Sequence, residues 1–419
     1  MSLPETISYR SAGLLGPTWM RAIWSPVAAH DTTGVPVGRD MRLDMFRGIA
    51  LVMIFINHVP GTVYESFTNR NFGFSDAAEA FVFMSGMAAG LAYSNRFRSG
   101  NLWAAATKVW ARARQLYFVH IVITMLSLAI FAGAANWFGL TELLTKNNLK
   151  ALFQQPLSTL VGIPLLTHQL GYLNILPLYM TLLLATPLVI YAGLRKPWLV
   201  LAASIALWVA AGQFRFNLPA FPNAGGWFFN PFSWQILFVI GLLSGMAMKV
   251  GGRFVPKSSV LFGLAAAFLV FVLVWMKVPP IGKTMNGMLG WLGAHGAPFY
   301  LTAFDKTFLS LPRLLHALAL FYVMGHLAVM RNVASSAAAA PFRLLGRQGL
   351  PVFAVGTVLS MALQSVKSGR QPDPLFDGLI LGSGLLVLLT LAWVLTRTQE
   401  LSKSSSPLPS GERSARSAG

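Results

Sequence analysis

Arg42-Leu-Asp-Met-Phe-Arg-Gly-Ile-Ala-Leu-Val-Met-Ile-Phe-Ile-Asn-His58 is the stretch of sequence that decides the fold. It predicts an apolar helix with an arginine, Arg47, near its start and a histidine, His58, far inside it. Eleven positions separate the two, so at about 3.6 residues per turn both side chains lie on one stripe, roughly 16 Å apart along the axis. This arrangement predicts a long substrate lying along the helix, with its anionic end at Arg47 and its reacting end at His58.

The composition of the whole chain is that of a membrane protein. Only 11% of the 419 residues are charged and 55% are hydrophobic, whereas a soluble domain carries about 25% charged residues. Apolar runs of roughly 20 residues recur along the chain, and such runs predict transmembrane helices. We therefore predict an all-α, polytopic integral membrane protein with about ten transmembrane helices. The predicted spans cover residues 44–62, 77–95, 113–135, 173–193, 197–213, 231–249, 258–277, 312–330, 348–365 and 377–396.

The positive charge predicts how this helical domain is oriented. Net charge is +19, and 22 of the 32 lysines and arginines fall on the side of the predicted bundle that holds both termini. Cytoplasmic loops carry such an excess, so both termini are predicted to be cytoplasmic. The basic charge is then expected to contact anionic lipid headgroups rather than nucleic acid. We divide the chain into a cytoplasmic extension without a signal peptide (1–40), a transmembrane domain (41–398) and a disordered cytoplasmic tail (399–419).

Three ionisable residues are predicted to share one level of the membrane near its outer face. Histidine suits general-base work because it titrates near neutrality, so His58 is the first catalytic candidate. Asp76 and Glu79 begin the second predicted span three positions apart, and they are expected to orient or stabilise the imidazole. The alternatives are a histidine satisfied by a backbone carbonyl, and a capping box formed by the two carboxylates.

Arginines gather at the opposite, cytoplasmic mouths of the spans. Arg47, Arg112 and Arg114 are predicted to hold phosphates, because the guanidinium group matches phosphate geometry. Ordinary positive-inside flanking is the alternative for all three, with Arg47 paired to Asp44 one helical turn earlier.

Further polar residues lie where later spans enter from outside. Asn174, Tyr179, Asp305, Lys306 and His316 are predicted to bind a substrate that arrives from outside, and Arg313 beside them is too polar for a lipid-facing entry. The chain has no cysteine and its seven histidines are scattered, so no metal site is expected.

Several motifs together resemble a known family. Arg-x₁₀-His across the first predicted helix resembles the signature of the acyltransferase-3 membrane acyltransferases, and the longer pattern resembles the OpgC family over residues 39–396. The motifs are Arg39-Asp-Met-Arg-Leu-Asp-Met-Phe-Arg-Gly48, Asn57-His-Val-Pro60, Asn71-Phe-Gly-Phe-Ser-Asp-Ala-Ala-Glu79, Ile175-Leu-Pro-Leu-Tyr179, Asn230-Pro-Phe-Ser-Trp-Gln235, Asp305-Lys-Thr307 and Gly349-Leu-Pro-Val-Phe353.

The resemblance implies an enzyme of the bacterial inner membrane that succinylates osmoregulated periplasmic glucans. It implies acyl-CoA, in particular succinyl-CoA, as a cytoplasmic co-substrate, a periplasmic glucan as acceptor, and no permanently bound cofactor. By the same resemblance Arg47 would contact the CoA portion and His58 would deprotonate the acceptor hydroxyl. Association with glucan-synthesis proteins is a further expectation. The competing hypotheses are a transporter or flippase for an anionic or glycan substrate, and a membrane scaffold.

Overall fold

The computed structural model describes residues 40–404, and every regular element in that range is helical. The predicted all-α class is therefore confirmed; apart from the helices, this range has one isolated bridge, between Pro219 and Gly226. The helices are α1 (Met41–Asn57), α2 (Ala77–Arg98), α3 (Leu102–Phe138), α4 (Lys150–Gln154), α5 (Pro156–Gly162), α6 (Ile175–Gly193), α7 (Pro197–Phe214), α8 (Pro231–Met248), α9 (Ser259–Lys277), α10 (Pro279–Ala294), α11 (Phe299–Thr302), α12 (Leu311–His326), α13 (Val329–Ser335), α14 (Ala340–Arg347), α15 (Gly349–Lys367) and α16 (Pro374–Ser404).

The two predicted tails fall mostly outside the described residues. Of the extension 1–40, only Asp40 is described, as the residue that caps α1. At the other end, α16 continues to Ser404, beyond the domain boundary predicted at 398.

Seven of the described helices are long and apolar enough to cross a membrane, namely α3, α6, α7, α8, α9, α15 and α16. The pair α12 and α13 would make an eighth span if its bend of 78° is counted within one crossing. The count of ten stays a prediction. The three predicted spans that fall short correspond to α1, α2 and α12, which are also the helices that carry or border most of the predicted site residues. Helices α1 and α12 are short, with 17 and 16 residues, and α2 has 22 residues that include Glu79, Arg96 and Arg98.

The first span was predicted over residues 44–62, and its end is wrong. Helix α1 ends at Asn57, and His58 is its C-cap rather than a residue far inside it. Pro60 cannot donate a backbone hydrogen bond, and Gly61 takes a left-handed conformation (φ 85°). The chain therefore turns away into short 3₁₀ helices at Val63–Phe67 and Asn69–Asn71.

Glycines fix the position of α2 against α8. A Cβ atom at Gly86 would lie 2.1 Å from the Phe238 carbonyl oxygen, and one at Gly245 would lie 2.1 Å from the Met87 carbonyl oxygen. Small residues at such crossings let helix backbones approach closely. This contact holds the start of α2, where Asp76 lies, in a defined place.

Candidate functional site

Asp76 and Glu79 form the capping box of α2. The Asp76 carboxylate accepts a hydrogen bond of 2.8 Å from the backbone N–H of Ala78, and Glu79 Oε2 accepts one of 2.9 Å from the backbone N–H of Asp76. The capping alternative raised by the sequence is therefore correct for this pair.

The same two carboxylates also bind cations from a distant part of the chain. Arg313 donates from Nε to Glu79 Oε1 over 2.9 Å and from Nη2 to Asp76 Oδ2 over 3.4 Å. Lys306 forms an ion pair with Asp76. The Glu79 side chain is fully buried, and that of Arg313 is 12% exposed. We call Asp76, Glu79, Lys306 and Arg313 the four-charge cluster; its formal charges cancel.

His58 lies at the end of α1, and its backbone carbonyl and its imidazole ring differ in their contacts. Its carbonyl oxygen accepts a hydrogen bond of 2.7 Å from Gln364 Nε2, and Asn147 in turn donates to Gln364 Oε1 over 3.0 Å. These contacts hold the backbone of His58. In contrast, the buried Nδ1 of its imidazole has no hydrogen-bond partner among residues 40–404.

Tyr172 packs on the imidazole. The two ring centroids are 4.7 Å apart, and the backbone of Tyr172 is in the left-handed region with φ 70°. This conformation costs a non-glycine residue about 1–3 kcal/mol, and such strain concentrates at functional sites. Tyr172 is thus held against His58 in spite of a local penalty.

The imidazole and the four-charge cluster are neighbours, but they do not form a triad. His58 is within electrostatic range of Lys306 and Asp76, while no hydrogen bond joins it to either carboxylate among the described residues. Asp76 and Glu79 already bind Lys306 and Arg313. A direct catalytic role for the two carboxylates therefore stays a prediction, and their observed contacts hold Lys306 and Arg313 in place.

The other residues predicted to bind the acceptor substrate fall into two groups, according to the residues that they contact. His316 Nδ1 lies 2.7 Å from the hydroxyl of Ser75, the residue before Asp76. Asp305 accepts a hydrogen bond of 2.7 Å from the backbone N–H of Phe308, which shapes the turn that carries Lys306. Lys306 is in the four-charge cluster, so these three residues meet in one region.

Asn174 and Tyr179 lie in other surroundings. Asn174 donates to Gln169 over 3.2 Å within its own segment. The phenol of Tyr179 lies within electrostatic range of Arg47, Arg112 and Tyr93. Tyr179 therefore groups with the arginines predicted to bind acyl-CoA rather than with the acceptor residues. We call Arg47, Arg112, Tyr93 and Tyr179 the arginine–tyrosine cluster.

Arg114 does not join that cluster. Arg112 is half-buried and donates to Gln115 over 2.6 Å, whereas Arg114 is exposed. Because the two residues are two positions apart, their side chains point about 160° apart around α3. The role predicted for Arg114 in binding acyl-CoA gains no support from its position.

Sequence reasoning did not single out three residues of this region, namely Tyr172, Gln364 and Tyr93. Arg313 was noted, because a charged residue at the entry of an apolar helix defaults to a functional hypothesis, but its carboxylate partners were not predicted. For Tyr172 and Gln364 the sequence carries no such signal, since an aromatic and an amide at helix ends are common. As for metals, no group of three or more His, Cys, Asp or Glu side chains within residues 40–404 is placed to hold an ion.

Comparison with known families agrees with the resemblance noted in the sequence. The profile of the family described as "OpgC protein" matches residues 39–400. No curated protein sequence matches the chain. Because the family match covers nearly all of the helical domain, the chain belongs to the OpgC family.

Proposed function

We propose that this protein transfers an acyl group, in particular succinyl, from cytoplasmic acyl-CoA to a hydroxyl of a periplasmic glucan. Membership of the OpgC family supports a succinyltransferase-type activity. The observation that carries the proposal is the buried Nδ1 of His58, which has no partner among residues 40–404. An imidazole nitrogen without a hydrogen-bond partner is free to accept a proton, as a general base must.

The reaction needs one group that takes and then returns a proton. The imidazole of His58 accepts the proton of the glucan hydroxyl while the hydroxyl oxygen attacks the thioester carbonyl carbon. The resulting tetrahedral intermediate breaks its C–S bond, and the proton passes from the imidazolium to the leaving CoA sulfur. An ester forms, a thioester breaks, and His58 ends in its starting state.

We assign to Lys306 the binding of the free carboxylate of the succinyl group. Its ammonium has three donors, and among the described residues its one hydrogen bond is to Asp76. The side chain is 27% exposed and lies within electrostatic range of His58. A cation with open donors beside the reacting imidazole would favour a dicarboxylic acyl group over an uncharged one. This assignment differs from the acceptor-binding role that the sequence predicts for Lys306, because the succinyl group belongs to the donor.

We assign to the arginine–tyrosine cluster the binding of the CoA portion of the acyl donor. Arg47 and His58 lie roughly 16 Å apart along α1, a span comparable to an extended pantetheine arm. With Arg47 and Arg112 on the phosphates, the thioester would reach His58. In this proposal the arginines lie at the cytoplasmic side and His58 near the periplasmic side of the inner membrane, with both termini cytoplasmic.

The test is succinyl transfer by the purified full-length protein carrying His58→Ala. Wild type given succinyl-CoA and glucan should release free CoA and form succinylated glucan, while His58→Ala should lose about 10²–10⁴-fold in rate. Unfolding in detergent is the folding control, with Ser94→Ala as the matched variant, because the buried Ser94 hydroxyl likewise has no partner among the described residues. Undiminished transfer by His58→Ala would disprove the base role. A transporter would release no CoA from the wild type.

A further inference from the structure

A cavity of about 290 Å³ lies at the bend between α12 and α13, next to the start of α1. Its polar lining consists of Arg42, Arg253, Lys257, Arg331, His326 and Asn332. We call it the basic pocket. His58 and the four-charge cluster are at the opposite ends of α1 and α12, so the basic pocket is separate from the reaction centre.

The charges of the basic pocket are poorly balanced. Arg42 forms an ion pair of 2.7 Å with Asp40. Within residues 40–404, no carboxylate forms an ion pair with Arg253, Lys257 or Arg331. Burial alone would raise the pKa of Asp40, but hydrogen bonds from Arg42 and the charge of Arg331 lower it below its ordinary value. Four cations and one carboxylate thus leave an excess of positive charge around one cavity.

The lining is held in place by specific contacts. Tyr322 donates its hydroxyl proton to the Pro256 carbonyl over 3.0 Å and accepts from the backbone N–H of Ser258 over 3.1 Å. Phe254, which is buried, stacks on Trp198 with centroids 4.9 Å apart. These anchors tie the loop that carries Arg253 and Lys257 to its surroundings.

His326 lines the basic pocket, and its two ring nitrogens differ in their contacts. Its Nδ1 lies 3.1 Å from the Tyr322 carbonyl oxygen and so must donate to it, while its buried Nε2 has no partner among the described residues. A protonated imidazole could donate from Nε2 to an anion in the cavity.

The volume and the positive charge of the basic pocket indicate which class of ligand it binds. A volume of about 290 Å³ is near the lower end of the roughly 300–1,000 Å³ typical of small-molecule sites, which suits a headgroup but not a whole nucleotide with a long arm. Basic pockets between membrane helices are known to bind anionic lipid headgroups. We propose that the basic pocket binds the phosphate headgroup of an anionic phospholipid, with the acyl chains outside it.

The pocket is also distinct from the site proposed for CoA. Arg42 and Arg47 are five positions apart on α1, so their side chains point about 140° apart around the helix. A phosphate bound at Arg42 therefore lies on a different side of α1 from one bound at Arg47.

The test compares lipids and CoA on the same delipidated full-length protein in neutral detergent. The melting temperature is followed while phosphatidylglycerol, phosphatidylcholine or CoA is added, because a ligand of the folded state raises it by mass action. The variant is Arg253→Gln/Lys257→Gln. The matched control is Lys108→Gln/Lys249→Gln, which removes the same charge from two other exposed positions.

We expect phosphatidylglycerol to raise the melting temperature of wild type and control more than phosphatidylcholine does. The pocket variant should bind phosphatidylglycerol roughly 30-fold more weakly, since each cation contributes about a factor of five. Equal phosphatidylglycerol affinity in variant and wild type would overturn the proposal. So would a variant that loses its response to CoA and keeps its response to phosphatidylglycerol, because the pocket would then belong to the nucleotide. Neither outcome depends on whether His58 is catalytic.

Discussion

The four-charge cluster and the basic pocket lie at opposite ends of α12, roughly 20 Å apart along its axis. Arg313 near the start of α12 is half-buried and bound to Glu79, whereas Arg253 beside the other end is exposed and has no ion pair among the described residues. The cluster has two cations for two carboxylates, and the pocket has four cations for one carboxylate. Charges balanced inside the protein hold its structure together, and charges left unbalanced at a cavity remain available for a ligand.

The largest expected effect is from removing a charge of the cluster. Arg313→Met leaves the buried Glu79 carboxylate without its cation, and breaking a buried pair in this way costs about 3–5 kcal/mol. Unfolding in detergent should show this loss. The double variant Arg313→Met/Glu79→Gln should recover part of it, because the unpaired charge is then gone. A loss below about 1 kcal/mol for the single variant would mean that the cluster is solvated like a surface pair.

Lys306 shares one property with each region. It pairs with Asp76 in the four-charge cluster, and its ammonium has further donors that make no hydrogen bond among the described residues. Lys306→Gln can still donate to Asp76 but loses the charge proposed to meet the succinyl carboxylate. Butyryl-CoA serves as the comparison donor, because its acyl chain has the same number of carbons as succinyl. We expect the ratio of kcat/KM for succinyl-CoA to kcat/KM for butyryl-CoA to fall about 10- to 100-fold. This is the loss expected when a hydrogen bond to a charged group is removed. Steady-state kinetics with the two donors measures it. An unchanged ratio with equal loss on both donors would leave Lys306 a purely structural role.

Arg112 and Arg114 offer the same contrast within one helix. Arg112→Gln should raise the KM for acyl-CoA about ten-fold through loss of a charge-assisted contact, while the exposed Arg114→Gln should leave it unchanged. Both variants lose one charge from neighbouring positions on α3, so Arg114→Gln serves as the matched control. If both raised KM equally, the effect would come from the general field of the basic face and not from the arginine–tyrosine cluster.

The smallest expected effect is on the stability of the lipid-free protein when the basic pocket loses charge. Arg253→Gln/Lys257→Gln should change the free energy of unfolding by less than about 0.5 kcal/mol, because exposed substitutions away from packed features rarely do more. The measurement is unfolding in neutral detergent without added lipid. A loss as large as that of Arg313→Met would show that these cations are structural after all.

Much of the fold could be predicted from the sequence because its signals are local. The apolar runs of α3, α9 and α16 exceed what a soluble helix needs, and the pattern Asp76-Ala-Ala-Glu79 marks the first turn of α2 by short-range hydrogen bonds alone. The end of α1 was misplaced because the apolar run stops at Ile56, and the predicted span was continued through Asn57 and His58 to beyond Pro60 and the left-handed Gly61.

The candidate site was only partly predictable. His58 and Arg47 could be singled out because an ionisable residue on an apolar helix is unusual. Tyr172 could not, since its contact with His58 depends on a left-handed backbone conformation that favours glycine or asparagine over tyrosine. Tyr179 was predicted to bind the acceptor because it follows an entry from outside, and only the structure shows that it lies within electrostatic range of Arg47 and Arg112.

The sequence by itself determined the helical membrane class and the family, because apolar composition and short motifs are properties of local segments. Only the tertiary structure decided which charges meet. Arg313 and Glu79 are 234 residues apart in the chain, and the sequence offers many other cations for that carboxylate. The choice depends on how α2 packs on α8 and how α12 enters the bundle, and that packing also leaves Arg253 and Lys257 beside a cavity and without a carboxylate partner among the described residues.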